Sequence, residues 1–246
     1  MSKFDLINLT LSNGNEWFVA KAQINPENEI FKKAKEQARK KSTYTMNASQ
    51  SGSYRSPEFK FNRQLMGTLA EIYVQEFLIE ALEKVALSNK WQIIRYDDVR
   101  TDGFKSPENE YDIKASKCNG DGQEYFIESR SSIVKDRTLE QAIDSFHIIG
   151  AYKSVAKFGE NPNDFYILPL HLVVNKKSNY LPSKYEEYIL NGYIEIYIVS
   201  GCSNNFIEKN GRIDNLNQGQ TNYKVLKASA ATNSLLFQKR FGQFLT

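Results

Sequence analysis

Cysteine and histidine are scarce in this chain, two of each in 246 residues. Cys118 and Cys202 cannot build a disulfide framework, so the sequence reads as intracellular and cytoplasmic, with reduced thiols. His147 sits beside Phe146 and Ile148, and His171 lies in an apolar strand. Neither has a second histidine or a cysteine at ligand spacing, so zinc is rejected and both read as structural. No apolar run approaches the ~18 residues a membrane span needs, and the polar start MSKFDLINLTLSNGNEW does not read as a secretory signal. Solenoid repeats, a Walker loop, a dinucleotide fingerprint, a nucleophile elbow and a helix-turn-helix are all missing. A formal charge of +3 neither demands nor excludes a nucleic-acid partner, so the distribution of charge matters more.

What is present has an ordinary globular balance, 41% hydrophobic and 25% charged, which predicts a folded chain. The pattern predicts a strand at Glu16–Ala20, then a helix capped by Asn25 with Pro26 in its first turn. Its outer face would carry Lys32, Lys33, Lys35, Arg39, Lys40 and Lys41. The polar stretch Ser42–Ser56 reads as a flexible arm. A long helix from about Asn62 to Leu87 follows, then strands at Trp91–Asp97, Glu110–Ala115 and Glu124–Ser131. A second long helix is expected over Leu139–Phe158, ended by Asn161–Pro162. Apolar strands follow at Phe165–Val174 and Tyr193–Ser200, then a polar loop over Gly201–Gln220 and an amphipathic piece from Leu235 to Phe244. The expected fold class is α/β, a central mixed β-sheet flanked by helices. A core over 63–200 would carry an N-terminal extension, 1–62, and a C-terminal one, 201–246.

Three acids stand out. In Tyr111-Asp112-Ile113-Lys114-Ala115, strand alternation puts Asp112 and Lys114 on one face. In Tyr125-Phe126-Ile127-Glu128-Ser129-Arg130, Glu128 and Arg130 likewise share a face. If Gly120 marks the hairpin centre, Asp112 lies across from Glu128, about 5 Å apart at Cβ. Carboxylates so placed repel, and one should hold its proton more tightly unless a cation sits between them. A hard oxygen-seeking ion such as Mg²⁺ removes the conflict. The ordinary alternative is a solvated strand face with Lys114 and Arg130 in cross-strand ion pairs. Glu71 is the third acid. At about 100° per residue it falls inside the apolar arc of Ala70, Val74, Leu78 and Leu82, where it needs a metal, a cationic residue or a hydrogen-bond network. Gly67, one turn earlier, would let a neighbouring backbone or ligand come close.

The series Gly67-Thr-Leu-Ala-Glu71, Glu110-Tyr-Asp112-Ile-Lys114 and Phe126-Ile-Glu128-Ser-Arg130 resembles the core of PD-(D/E)XK, restriction-endonuclease-like nucleases. The resemblance runs from about Arg63 to Val174, includes the helix bearing Gln141, and rests on the order and spacing of elements. It implies that Asp112, Glu128 and the backbone carbonyl of Ser129 hold Mg²⁺, or Mn²⁺ in its place, with Glu71 joining directly or through water. It further implies hydrolysis of phosphodiesters to 5′-phosphate and 3′-hydroxyl ends. The chain departs from the pattern in having Arg130 where the family has lysine. Guanidinium stays protonated, so Arg130 can orient water and neutralise phosphate but is a poor base. Either Arg130 performs that electrostatic part, or Lys114 takes the lysine role, or the site binds without cutting.

The expectation is therefore a Mg²⁺-dependent DNA endonuclease of restriction or defence type. Its partners would be double-stranded DNA, a second copy in a homodimer and a cognate methyltransferase acting on the same site. A catalytically inactive nucleic-acid-binding module and a repair or resolvase-like nuclease are the alternatives. Lys40, Lys41, Arg55, Lys60 and Arg63 are candidate phosphate contacts, and Tyr44 and Tyr54 could stack on bases. The lysine-rich helix reads more readily as an ordinary solvated face than as a DNA contact.

Overall fold

A computed structural model describes residues 2–46, 54–105, 111–120, 122–152, 161–175, 180–216 and 222–246. The fold is α/β, with a central mixed sheet flanked by helices. It opens with a hairpin of β1 (Phe4–Thr10) and β2 (Glu16–Ala22), then α1 (Glu29–Tyr44) and α2 (Pro57–Lys84). An antiparallel run of β3 (Trp91–Arg95), a one-turn helix α3 (Tyr96–Val99), β4 (Ile113–Lys117) and β5 (Glu124–Ser129) comes next. β6 (Ser132–Val134), α4 (Leu139–Ser145) and β7 (His147–Tyr152) lead to β8 (Phe165–Val173). The chain continues through α5 (Tyr185–Leu190), β9 (Ile194–Ser203), α6 (Asn204–Asn210), β10 (Arg212–Asp214), β11 (Tyr223–Lys227), β12 (Thr232–Asn233) and α7 (Ser234–Phe244).

The main sheet runs β1-β2-β9-β8-β5-β4-β3, and β10-β11-β7 form a smaller one. β8 lies parallel to β5, as a strand returning after a crossover must, and the helix α4 lies in that connection. β5 and β6 pair with the same strand in the same offset, Ser129 with Ile167 and Ser132 with Leu170. They are one strand interrupted at Arg130 and Ser131. Pro169 explains the break: it has no N–H to give either neighbour, and the β8–β9 register also shifts between Leu168 and Pro169.

Helix α2 is buried nearly all round because it lies between α1 and the sheet, with Leu65, Leu69, Val74 and Leu78 wholly covered. Ser56 accepts from Phe59 N and Pro57 opens the first turn, which fixes its start. Its core includes Ile113, Ala115 and Ile127 from β4 and β5 together with Phe31, Phe237 and Phe241. Residues Val134, Ala142, Ile148, Tyr166, Leu168 and Leu226 build a second core across the sheet. Among the described residues no helix is long and apolar enough to cross a membrane.

Several expected elements are corrected. Asn28, not Asn25, caps α1, its side chain accepting from Phe31 N. α1 continues to Tyr44, so the expected arm starts inside a helix, and 47–53 lie outside the described residues. α2 spans Pro57–Lys84 rather than Asn62–Leu87. The helix expected over Leu139–Phe158 stops at Ser145, and His147–Tyr152 is a strand, while 153–160 lie outside the described residues. Ile148 to Tyr152 is a short apolar run, which periodicity alone cannot assign. His147 is therefore a strand residue, not a mid-helix one. The stretch expected as loop after Gly201 carries the end of β9, α6 and β10. Strand β1 was not expected at all.

Candidate functional site

The β4–β5 register is Ile113 with Ile127 and Lys114 with Phe126. Carried one residue further, it sets Asp112 opposite Glu128, as a hairpin centred on Gly120 requires. Gly120 has a φ of +74°, the left-handed conformation glycine adopts without strain. Ile113 and Ile127 point into the α2 core, so alternation turns Asp112 and Glu128 to the other face. There the Asp112 carboxylate accepts from Ser129 N at 2.7 Å, and the Asp112 carbonyl accepts from Tyr96 N at 2.9 Å. Arg130 Nε donates to Glu128 Oε1 at 2.8 Å, and its Nη1 donates to the Gly150 carbonyl at 3.3 Å. Lysine, a single point charge, does not offer that two-armed contact.

Asn163, at the foot of β8, is a site residue the sequence reading did not name. Its Nδ2 donates to Glu128 Oε2 at 3.2 Å, while its Oδ1 is buried with no hydrogen-bond partner among the described residues. A buried oxygen left so is costly and invites an unseen donor or a cation. In sequence it was hidden inside Asn161-Pro162-Asn163, which reads as a breaker.

Glu71 does not join this group. It is buried on α2, where Arg95 Nη2 reaches its Oε2 at 3.3 Å and Lys41 Nζ lies 3.6 Å from its Oε1. Asp97 completes the cluster: Lys41 stands 2.5 Å from its Oδ2, Arg95 3.4 Å from the same atom, and Arg100 3.5 Å from its Oδ1. Of the partners the apolar arc demanded, Glu71 has cations in Arg95 and Lys41, and Arg95 links it by hydrogen bonds to Gln37, Asp97 and Asp98. Arg95 pairs with Ile113 in the ladder and so shares its α2-facing side. Glu71 and the strand acids thus address opposite faces of the sheet. No cluster of three or more histidine, cysteine, aspartate or glutamate side chains that could hold a metal occurs among the described residues. At the cluster's edge, burial pushes the Asp98 carboxyl up, but Arg95, Lys33 and Gln37 pull it further down, below the usual value.

The remaining expected residues are accounted for individually. Lys114 is bridged to Glu124 at 2.6 Å, and that hydrogen bond, outweighing partial burial, raises its pKa and keeps the amine charged. Lys41 is buried rather than on α1's outer face, which corrects its reading as a phosphate contact. Lys32, Lys33, Lys35 and Lys40 pair with Glu29, Asp98, Glu186 and Glu36, which offsets much of the helix's positive face. Lys60 donates to the Thr45 carbonyl, Arg63 is exposed at the start of α2, and Arg55 is half-buried just before it. Tyr44 and Tyr54 are exposed.

No family model matches the chain, and no solved structure matches it. The "Uncharacterized protein MJECS01" of Methanocaldococcus jannaschii is 24% identical over 236 residues, covering 88% of this chain and 82% of that protein.

Proposed function

We propose that the chain is a Mg²⁺-dependent DNA phosphodiester hydrolase, working from the face that bears Asp112, Glu128 and Arg130. The observation that carries the reading is the facing pair of acids at a break in the sheet, beside a guanidinium and an unsatisfied amide oxygen. The sheet order β8-β5-β4-β3, with β8 parallel to β5, supports it as well, because it closes the helix–strand–hairpin–helix–strand order into one surface.

The donor set suits a hard cation. Asp112 and Glu128, the Ser129 carbonyl and Asn163 Oδ1 are all oxygens, and Mg²⁺ is ordinarily held by one or two carboxylates with water and substrate phosphate completing its shell. Such an ion would acidify a bound water and draw charge from the scissile phosphate. Ser129 N–H and Asn163 Nδ2 hold the two acids in orientation. Arg130, tied to Glu128 and Gly150, can swing one arm onto a phosphate oxygen while the other still holds the strand break, and so offset developing charge. It accepts no proton. Glu71 falls outside the ligand set and serves stability.

Restriction or defence use, with a homodimer cutting both strands, follows if cleavage is sequence-specific. The second reading, a nucleic-acid-binding module that does not cut, draws on Arg130 in the lysine position and on Glu71's engagement with Lys41 and Arg95. Plasmid incubated with Mg²⁺ or with EDTA decides between them. Metal-dependent nicking that Asp112→Ala abolishes is expected. DNA binding without nicking under Mg²⁺ or Mn²⁺ would leave the silent module.

A further inference from the structure

The smaller sheet has two unlike faces. In its ladder Ile148 pairs with Leu226, and both enter the second core. The alternate positions point the other way: His147 and Ile149 on β7, and Arg212 and Asp214 on β10. These four form the floor of a cavity of about 480 Å³, and α4 and its flanks close one side with Arg137, Ser145 and Phe146. The volume lies in the range of small-ligand sites.

Its charge is uneven. Arg137 is at the wall and Arg212 in the floor, and Lys227 stands across the ladder from His147, against one carboxylate, Asp214. Asp214 is held by Arg212 at 2.8 Å and by Leu216 N at 2.8 Å, so it offsets one of the three cations. Arg137 Nη1 donates to Ser145 Oγ at 2.6 Å, which aims the guanidinium along the wall. His147 Nε2 is buried with no hydrogen-bond partner among the described residues. Burial first, and then Arg212 and Lys227, hold that ring below its usual pKa despite Asp214, leaving it neutral near pH 7 with a donor or acceptor to offer. The apolar surface of Phe146 and Ile149 lies beside these polar groups.

We infer that this cavity binds a nucleoside phosphate, its phosphate on Arg137 and Arg212 and its base against Phe146 and Ile149. Two guanidiniums with planar, forked donors match a phosphate better than a single carboxylate ligand would need. A cavity of this size would be largely empty around inorganic phosphate, and an apolar wall adjoining the cations suits a base. The ligand can be a free nucleotide or one nucleotide of a strand; the recognised chemistry is the same. The site does not depend on the cleavage reading, since neither acid of the facing pair lines it.

Binding of deoxyadenosine monophosphate, inorganic phosphate and a short single-stranded oligonucleotide would be titrated calorimetrically in EDTA, which removes any contribution from cleavage. The mononucleotide is expected to bind more tightly than phosphate. Arg137→Gln should weaken it about tenfold through loss of a charge-assisted bond. Asp214→Asn, which keeps the acceptor for Leu216 N but removes the negative charge, should tighten it about fivefold. An oligonucleotide that competes assigns the nucleotide to a strand, and one that does not assigns it to a free molecule. The inference is overturned if the mononucleotide fails to bind, or if neither variant changes its affinity. Asp214→Asn guards against misreading a misfolded variant, because a gain of affinity cannot come from unfolding.

Discussion

Two pairs of carboxylates lie back to back near the junction of β3 and β4, and the chain handles them differently. Glu71 and Asp97, under α2, are met by Lys41, Arg95 and Arg100 in a cluster almost closed to solvent. Asp112 and Glu128, across the sheet, are half-buried and are met by a backbone N–H, an amide and the arm of Arg130. The first pair is compensated by fixed charge from three segments of the chain. The second is held by exchangeable donors, the arrangement a site needs if a cation or phosphate is to enter. A buried carboxylate on a helix is thus a weak sign of chemistry, and its neighbours across the fold decide what it is for.

The largest effect should come from breaking the compensated pair. Asp97→Ala would leave Lys41, Arg95 and Arg100 together inside with Glu71 as their remaining buried acid. A loss of about 3–5 kcal/mol is expected, roughly 10 °C in melting temperature. Urea and thermal unfolding measure it. A loss below about 1 kcal/mol would mean that the cluster is solvated and the contrast false.

Asp112→Asn should do the reverse. Its amide oxygen still accepts from Ser129 N, so stability should change by less than about 1 kcal/mol. Cleavage should fall by about 100-fold or more, because the charge facing Glu128 is gone. Parallel unfolding and nicking assays on this variant and Asp97→Ala give a two-by-two test. Equal losses of stability in both would dissolve the distinction.

How far the sequence could be read follows the same division. The Asp112–Glu128 pairing was legible because everything that sets it is local: two alternating strands and a glycine at their midpoint. Glu71 was legible as an anomaly on an apolar arc. Its partners were not, since Lys41 and Arg95 reach it from other segments and a chain pattern carries no such distance. Lys41 looked like one of a run of exposed lysines because helical spacing alone does not show that α2 and the start of α3 cover that turn. Strand β1 escaped because it is an edge strand with much of its length exposed, so Phe4-Asp-Leu-Ile-Asn-Leu-Thr lacks a clean alternation. The general class, a mixed sheet with helices, needed none of these details.

A third polar group shows another solution, burial in neutral form. His171 is enclosed in β8, its Nδ1 2.7 Å from the Tyr185 hydroxyl. Burial, aided by Arg63, lowers its pKa to about 3. A depressed histidine stays neutral in the folded chain while the unfolded chain takes up a proton below about 6.5. Its contribution is therefore complete above that pH and is lost as pH falls toward the folded value. Between pH 8 and pH 5 the loss should reach about 2 kcal/mol. His147, shifted the same way, adds to the slope, so comparison with His171→Gln isolates the buried ring. Identical slopes in the two proteins would refute the assignment.

The smallest effect on stability should come from Lys114→Met, and it bears directly on the acid pair. Lys114 shares the face of Asp112 yet is bridged to Glu124, an exchange of partners within one hairpin. Removing a half-exposed bridge of this kind should cost less than about 1 kcal/mol. If Arg130 supplies the positive charge beside the acids, nicking by Lys114→Met should stay within a few-fold of the wild type, while Arg130→Met loses most of it. The reverse ranking would move the lysine role to β4. Because its bond to Glu124 keeps Lys114 protonated, even that outcome would make it an electrostatic partner of phosphate rather than a base, and the proton of the attacking water would still have to leave through solvent or the substrate itself.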